Sequence, residues 1–371
     1  MSLKYIKDKI HPRVLGYVNA VRGFIELDIA SKNTIIYLGV CDEANLGDQI
    51  LLSQAKFSFP EYHLISSSTH NKIYKLLIDN AIERTSGVLV GGGTLLLGSE
   101  SMLELLEKLI LNKIPIATYG SGVQDPKFWN LQQDTLDRWA KVINSIKLLG
   151  VRGPKSLEIL SGMGIVHGKI VGDPAVSCAL QKKNYDRKHK VIGINIGVTG
   201  KFDGASFDDF FQQMLRICKV LKKDDWQFKF FCVWPRDLPI IKALATELEI
   251  SSPDIVEEYF SALRFMKEAG KCSLVVSMKL HPLILSIASG VPSIGIQYQP
   301  KLLDFMSSID SEKMLLVADS NLATNCLELI NRANSEELSA ASTQWEGCVN
   351  LAHHFSEYQR ELNREISSWR N

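Results

Sequence analysis

With 371 residues, 46% of them hydrophobic and 22% charged, the chain is long enough to bury two cores and has the balance of a globular protein. Its formal net charge of +1 excludes a global field that would draw it to nucleic acid. The 7 cysteines are scattered with no CxxC pair, and no HExxH occurs, so neither a disulfide framework nor a zinc site is expected; the thiols read as buried groups in a reducing compartment.

Met1–His11 is charged and lacks an apolar stretch, so no signal peptide is expected, and no later apolar run is long enough to span a bilayer. Residues 1–33 are expected to form a helical extension. Lys4, Lys7, Lys9, Arg13 and Arg22 stand there among apolar residues. A plain packing helix is one reading, and a helix resting on an anionic membrane surface is the other. Strands are predicted at Ile35–Val40, Tyr62–Ser66, Gly87–Val90, Ile116–Tyr119 and Lys147–Val151. Helical spacing follows at Asp48–Phe57, Asn71–Arg84 and Ser101–Leu111. A polar, basic stretch over Gln181–Lys190 reads as a linker. Alternation then resumes with strands at Val191–Ile196, Lys229–Val233, Ser273–Ser277 and Ser293–Ile296, and the tail from Ser335 reads as helix. The fold class is therefore α/β, with two Rossmann-like domains, 34–185 and 186–371, whose parallel sheets face a cleft. Ligands of open parallel sheets bind beyond the carboxyl ends of the strands, so those loops are where chemistry is sought.

The first such loop holds Asn45, Gly47 and Asp48; Gly47 permits a tight turn and Asp48 is read as the helix cap. The second, Gly91-Gly92-Gly93-Thr94, lets backbone amides approach an anion or a sugar, although close strand–helix packing also needs glycine. Gly120-Ser121-Gly122 is a similar loop. Arg152, at a strand end before Pro154, offers a planar fork to a carboxylate or phosphate, or pairs with a surface acid. In Gly172-Asp173-Pro174 the aspartate reads as a cap.

Ser277-Met278-Lys279-Leu280-His281-Pro282 carries the most information. A strand runs into a helix that Pro282 is expected to open, so Lys279 and His281 stand at a helix start that favours phosphate. Such a cation and imidazole form a candidate phosphate and proton-transfer site. Tyr298 and Lys301 follow the next strand. A lysine at a helix start opposes the dipole and hints at an anion partner. Asp208/Asp209 and Asp224/Asp225 read as solvated charges, and without Asp-x-Asp no metal site for a nucleotide sugar is signalled.

Asn45-Leu46-Gly47-Asp48, Val90-Gly91-Gly92-Gly93, Val151-Arg152, Gly172-Asp173-Pro174-Ala175, Lys279-Leu280-His281 and Tyr298 to Lys301 occur in the order and spacing of polysaccharide pyruvyl transferases. The resemblance covers roughly residues 34–310. It implies a two-domain fold similar to GT-B glycosyltransferases and phosphoenolpyruvate as donor substrate. It further implies a sugar or lipid-linked glycan as acceptor, a pyruvate ketal as product, and neither metal nor redox cofactor. Arg152 and Lys279 would clamp the donor, Asn45, Gly47, Gly92, Gly93, Tyr298 and Lys301 would line the substrate site, and His281 with Asp48 would move protons. A cytoplasmic location, at the inner face of the membrane in one version, goes with this reading. The family usually has Arg-Leu-His-Gly where this chain has Lys279-Leu280-His281-Pro282, so the charge is kept without the planar fork. Two other readings stay open: a metal-independent GT-B glycosyltransferase using a nucleotide sugar, and a non-catalytic glycan-binding relative.

Overall fold

The computed structural model describes residues 33–40, 44–67, 85–181, 188–199, 206–335 and 337–369, with backbone only for 334–335 and 337–340. The N-terminal extension, the Asn71–Arg84 helix, Cys41 and most of the linker lie outside the described residues.

The N-terminal unit runs β1 (Thr34–Leu38), α1 (Leu46–Ser58), β2 (His63–Ser67), β3 (Gly87–Val90), β4 (Gly93–Leu96) and α2 (Glu100–Leu111). It continues with β5 (Ile116–Thr118), β6 (Ser121–Val123), α3 (Pro126–Trp129), α4 (Gln133–Asn144), β7 (Gly150–Val151), α5 (Pro154–Gly162) and β8 (Lys169–Ile170). A 3₁₀ segment, Pro174–Leu180, closes it. The C-terminal unit runs β9 (Val191–Asn195), α6 (Phe207–Lys223), β10 (Gln227–Cys232), α7 (Leu238–Glu247), β11 (Asp254–Glu257), α8 (Ala262–Ala269) and β12 (Leu274–Ser277). Then come α9 (Leu280–Ala288), β13 (Ser293–Gln297), α10 (Lys301–Ser308), β14 (Leu315–Val317), α11 (Leu322–Ser335) and α12 (Glu337–Ser368).

Every pairing between these strands is parallel. Parallel sheets are buried on both faces, and β1 shows why its run is continuously apolar. Ile35 and Tyr37 enter one core, and Ile36 and Leu38 enter the other. The C-terminal sheet has the order β11-β10-β9-β12-β13-β14, so its topological switch point lies between β9 and β12. The N-terminal unit departs from a single sheet. It forms two four-stranded sheets, β2-β1-β3-β5 and β4-β6-β7-β8. The break falls at Gly91-Gly92 and at Gly120, whose φ is +66°. Both glycine loops therefore join one strand to the next, and Ser121 Oγ bridges the break by donating to the Val90 and Gly91 carbonyls at 3.1 and 2.7 Å. The expected strand Lys147–Val151 shrinks to Gly150–Val151. The switch point of the first sheet lies between β1 and β3, and its loops face those of the second across a cleft.

Helix α12 returns from the second unit to the first. Gln344 pairs with both backbone groups of Ser293, at 2.9 and 2.8 Å. Further along, Tyr358 Oη donates to the Thr118 carbonyl at 2.8 Å, and Gln359 Nε2 donates to Ser58 Oγ and Tyr119 Oη. Among the described residues, no helix is long and apolar enough to cross a membrane.

Candidate active site

The loops at the two switch points enclose a cavity of about 440 Å³. Asn45, Gly47, Asp48, Gly93, Arg152, Lys279, His281, Tyr298 and Lys301 all line it. Gly92 does not: it is buried, and a methyl there would fall 2.6 Å from Leu51, so this glycine serves packing beneath the cleft.

Helix α1 starts two residues earlier than expected. Asn45 is its cap, with Oδ1 accepting from Gly47 N at 3.0 Å, and Asp48 sits in the first turn, where an acid suits the dipole. Leu46 N donates to the Val233 carbonyl at 3.0 Å, which docks this helix start on the other unit. Gly47 has a specific neighbour. A methyl at this position would lie 1.9 Å from His281 Nδ1, so the bare backbone is what lets the imidazole seat against α1.

Helix α9 starts at Leu280, so Pro282 is its third residue and Lys279 its extended N-cap. Lys279 and His281 consequently diverge. The Lys279 ammonium pairs with the fully buried Asp237 carboxylate and lies 4.7 Å from the centre of the Trp234 ring. Burial raises the Asp237 pKa, and the Lys279 charge pulls it back. His281 instead turns to the first unit, its Nε2 buried 3.7 Å from Asp173 Oδ1. Its pKa is lowered chiefly by burial; Asp173 opposes that, and the cations that add to it are Lys301 and Arg152 rather than Lys279.

Arg152 is neither a surface arginine nor a solvated fork. It is 1% exposed, and its Nη2 donates to Thr94 Oγ1 at 2.7 Å. Its Nε meets Asp304 Oδ2 at 3.4 Å, and its Nη1 lies 3.9 Å from Asp173 Oδ2. The guanidinium packs on Gly122, where a methyl would collide with it. Asp304, on α10, also accepts from Ser156 N at 3.1 Å and Ser156 Oγ at 2.6 Å, so it caps α5 from across the cleft. Lys301 begins α10 with its ammonium 5.3 Å from the Tyr298 ring centre. No carboxylate of the described residues lies within ion-pair distance of it.

The walls differ in character. The C-terminal wall presents Lys279, Lys301 and His281 at the starts of α9 and α10. The N-terminal wall adds Thr94, Gln124, Asp125 and Trp129 to the residues already named, with Trp129 42% exposed. Asp173, Asp237, Asp304, Trp129 and Trp234 were not foreseen as site residues. The caps at Asp125 and Asp173 were the available signals, since each falls just after a strand of the first unit.

The family model described as Polysaccharide pyruvyl transferase matches residues 45–300, which spans both walls. No curated protein matches the sequence. Among solved structures, UDP-N-acetylglucosamine 2-epimerase from Rickettsia bellii is similar at 13% identity and TM-score 0.57, covering 91% of this chain and 96% of that one. An S. aureus MnaA–UDP co-structure matches at 13% identity and TM-score 0.56, with 85% and 91% covered. A glycosyltransferase from Rickettsia africae ESF-5 matches at 10% identity and TM-score 0.51, with 91% and 98% covered. These likenesses establish the GT-B-like α/β fold with parallel sheets.

Proposed function

We propose, because this chain belongs to the polysaccharide pyruvyl transferase family, that its cleft transfers an enolpyruvate-derived group from phosphoenolpyruvate to a glycan sugar and closes it to a pyruvate ketal. The observation that carries this reading is the cationic wall: Lys279, Lys301 and His281 meet at two helix starts beside the β9/β12 switch point. Phosphoenolpyruvate has a phosphate and a carboxylate, and helix starts with cations suit both. The acceptor hydroxyl adds to C2 of the enol, C3 takes a proton, and phosphate leaves as a second hydroxyl of the same sugar closes the ring. The sequence is redox-neutral and calls for no electron-carrying cofactor.

The opposite wall suits the acceptor. A half-exposed indole at Trp129 offers a flat apolar face to a pyranose ring, and Asn45, Asp48 and Gln124 offer hydroxyl partners. Asp48 is placed here as a base for the attacking hydroxyl, and His281 as the acid for C3. The full-length protein with phosphoenolpyruvate and candidate glycans should release inorganic phosphate. Thermal stabilisation by UDP-sugars with none by phosphoenolpyruvate would replace this reading with a nucleotide-sugar transferase.

Lys301 tests the donor wall cleanly, because removing it strands no buried carboxylate. Lys301→Ala should weaken phosphoenolpyruvate binding by about 1.5–3 kcal/mol, the scale of a hydrogen bond to a charged group, with the melting temperature held. Isothermal titration measures this, and unchanged affinity would remove Lys301 from the donor site. Lys279→Ala should lose stability as well as affinity, since it leaves Asp237 buried without its cation.

A further inference from the structure

The floor of the cleft contains two buried polar atoms without hydrogen-bond partners, His281 Nε2 and Asp173 Oδ2. His281 Nε2 stands 3.7 Å from Oδ1 of the same carboxylate, whose Oδ2 lies toward Arg152. Buried polar atoms rarely stay unpaired in native proteins. The orphaned Nε2 is accounted for when it carries the hydrogen and its contact with Oδ1 shortens slightly. Catalytic hydrogen bonds are commonly long before substrate binds.

The surroundings fix which group plays which part. Asp173 is fully buried, and its Oδ1 already accepts from Ala175 N at 3.0 Å. Arg152 Nη1 lies 3.9 Å from Oδ2 and brings a positive charge to that oxygen. On the other side the imidazole rests on Gly47, with Nδ1 the nitrogen nearest that backbone. Since Nε2 is buried, Nδ1 is the nitrogen through which the ring can meet a ligand. The charged groups acting on the ring are Asp173 from the 3₁₀ segment, Arg152 from the end of β7 and Lys301 from α10. Asp48 lines the same cleft from α1, and Lys279, on the ring's own element, is held by Asp237.

We propose that Asp173 is the positioning residue of His281: it holds the Nε2–H tautomer and so directs Nδ1 at the ligand. One proton enters and leaves at Nδ1. Nε2 keeps its hydrogen throughout, and the Asp173 carboxylate stabilises the imidazolium without taking a proton. The tautomer is a property of the unliganded chain. The effect on turnover rests on the pyruvyl-transfer reading.

The test is ¹⁵N-imidazole NMR of the full-length protein, with the His281 signals assigned by their loss in His281→Gln. The wild type should show Nε2–H. Asp173→Asn keeps the Oδ1 acceptor of Ala175 N but removes the negative charge from the contact, so it should weaken the preference for Nε2–H and move the population toward Nδ1–H. Its phosphate release from phosphoenolpyruvate should fall about 10- to 100-fold, the usual cost of losing such a supporting partner, with a displaced pH–rate profile and donor affinity within about twofold. A wild-type ring in the Nδ1–H form overturns the proposal whether or not the variant folds. So does an Asp173→Asn enzyme with wild-type rate and pH profile. Absence of phosphate release from the wild type would sink the pyruvyl-transfer reading alone, leaving the NMR result to decide the tautomer.

Discussion

His281→Gln should lower turnover about 10²–10⁴-fold while leaving phosphoenolpyruvate affinity within a few-fold of wild type. Glutamine reaches a similar distance and can hydrogen-bond phosphate, but it cannot cycle a proton near neutral pH. In the free protein, burial with Lys301 and Arg152 nearby lowers the ring's pKa and favours the neutral imidazole. On the proposed function, a bound donor would reverse part of that balance. Its phosphate and carboxylate bring negative charge to the same wall and favour imidazolium. Under the proposed pyruvyl transfer, the donor would thus help to charge the acid that protonates its own C3. The lowered pKa also has a thermodynamic sign. As pH falls below about 6.5, the unfolded chain takes up a proton that the folded site resists, so this group's contribution to stability declines on acidification. That component should vanish in His281→Gln. Turnover and donor affinity measured on one preparation separate proton transfer from simple binding, and a rate within a few-fold of wild type would end the proton-transfer role.

Asp304→Ala should cost about 3–5 kcal/mol of stability, the scale for breaking a buried ion pair from one side. The deletion leaves Arg152, 1% exposed, with Asp173 at 3.9 Å and the Thr94 hydroxyl. It also removes the acceptor of both Ser156 N and Ser156 Oγ at the start of α5. A drop of roughly 10 °C in melting temperature is expected. Asp304→Asn, which keeps an oxygen for Ser156 N, should be milder than Asp304→Ala, because the hydrogen bond at the start of α5 survives the loss of charge. Denaturant titration of the two variants gives the comparison. A loss under about 1 kcal/mol in Asp304→Ala would show that water or Asp173 takes over the pairing.

The sheets were legible because parallel strands buried on both faces are continuous apolar runs, as in Ile35–Leu38 and Leu274–Val276. Their carboxyl ends pointed to Asn45, Arg152, Lys279 and His281, which line the cleft. Local starts were harder to place. Pro282 suits any position in the first helical turn, since none of those amides has an intrahelical acceptor, so it could not show that α9 begins at Leu280. In Asn45-Leu46-Gly47-Asp48 both polar residues can cap, and the Gly47 amide decides for Asn45. The partners of the charged groups were beyond sequence reasoning. Asp304 reaches Arg152 across 152 positions, and Asp173 meets His281 from the other unit. Glycine was ambiguous for a similar reason: Gly47 admits an imidazole, whereas Gly92 admits Leu51.

Helix α12 sets the kind of motion this cleft can make. It is pegged to the C-terminal sheet at Ser293 through Gln344 and to the N-terminal sheet at Thr118 through Tyr358. About 21 Å of helix separates the pegs. A rod of fixed length fastened at both ends resists sliding of one sheet past the other but permits rotation about its attachments. Closure over a ligand would then be a hinge, not a shear. The depth at which His281 meets Gly47 would stay constant while the distance between the outer lips of the cleft changes.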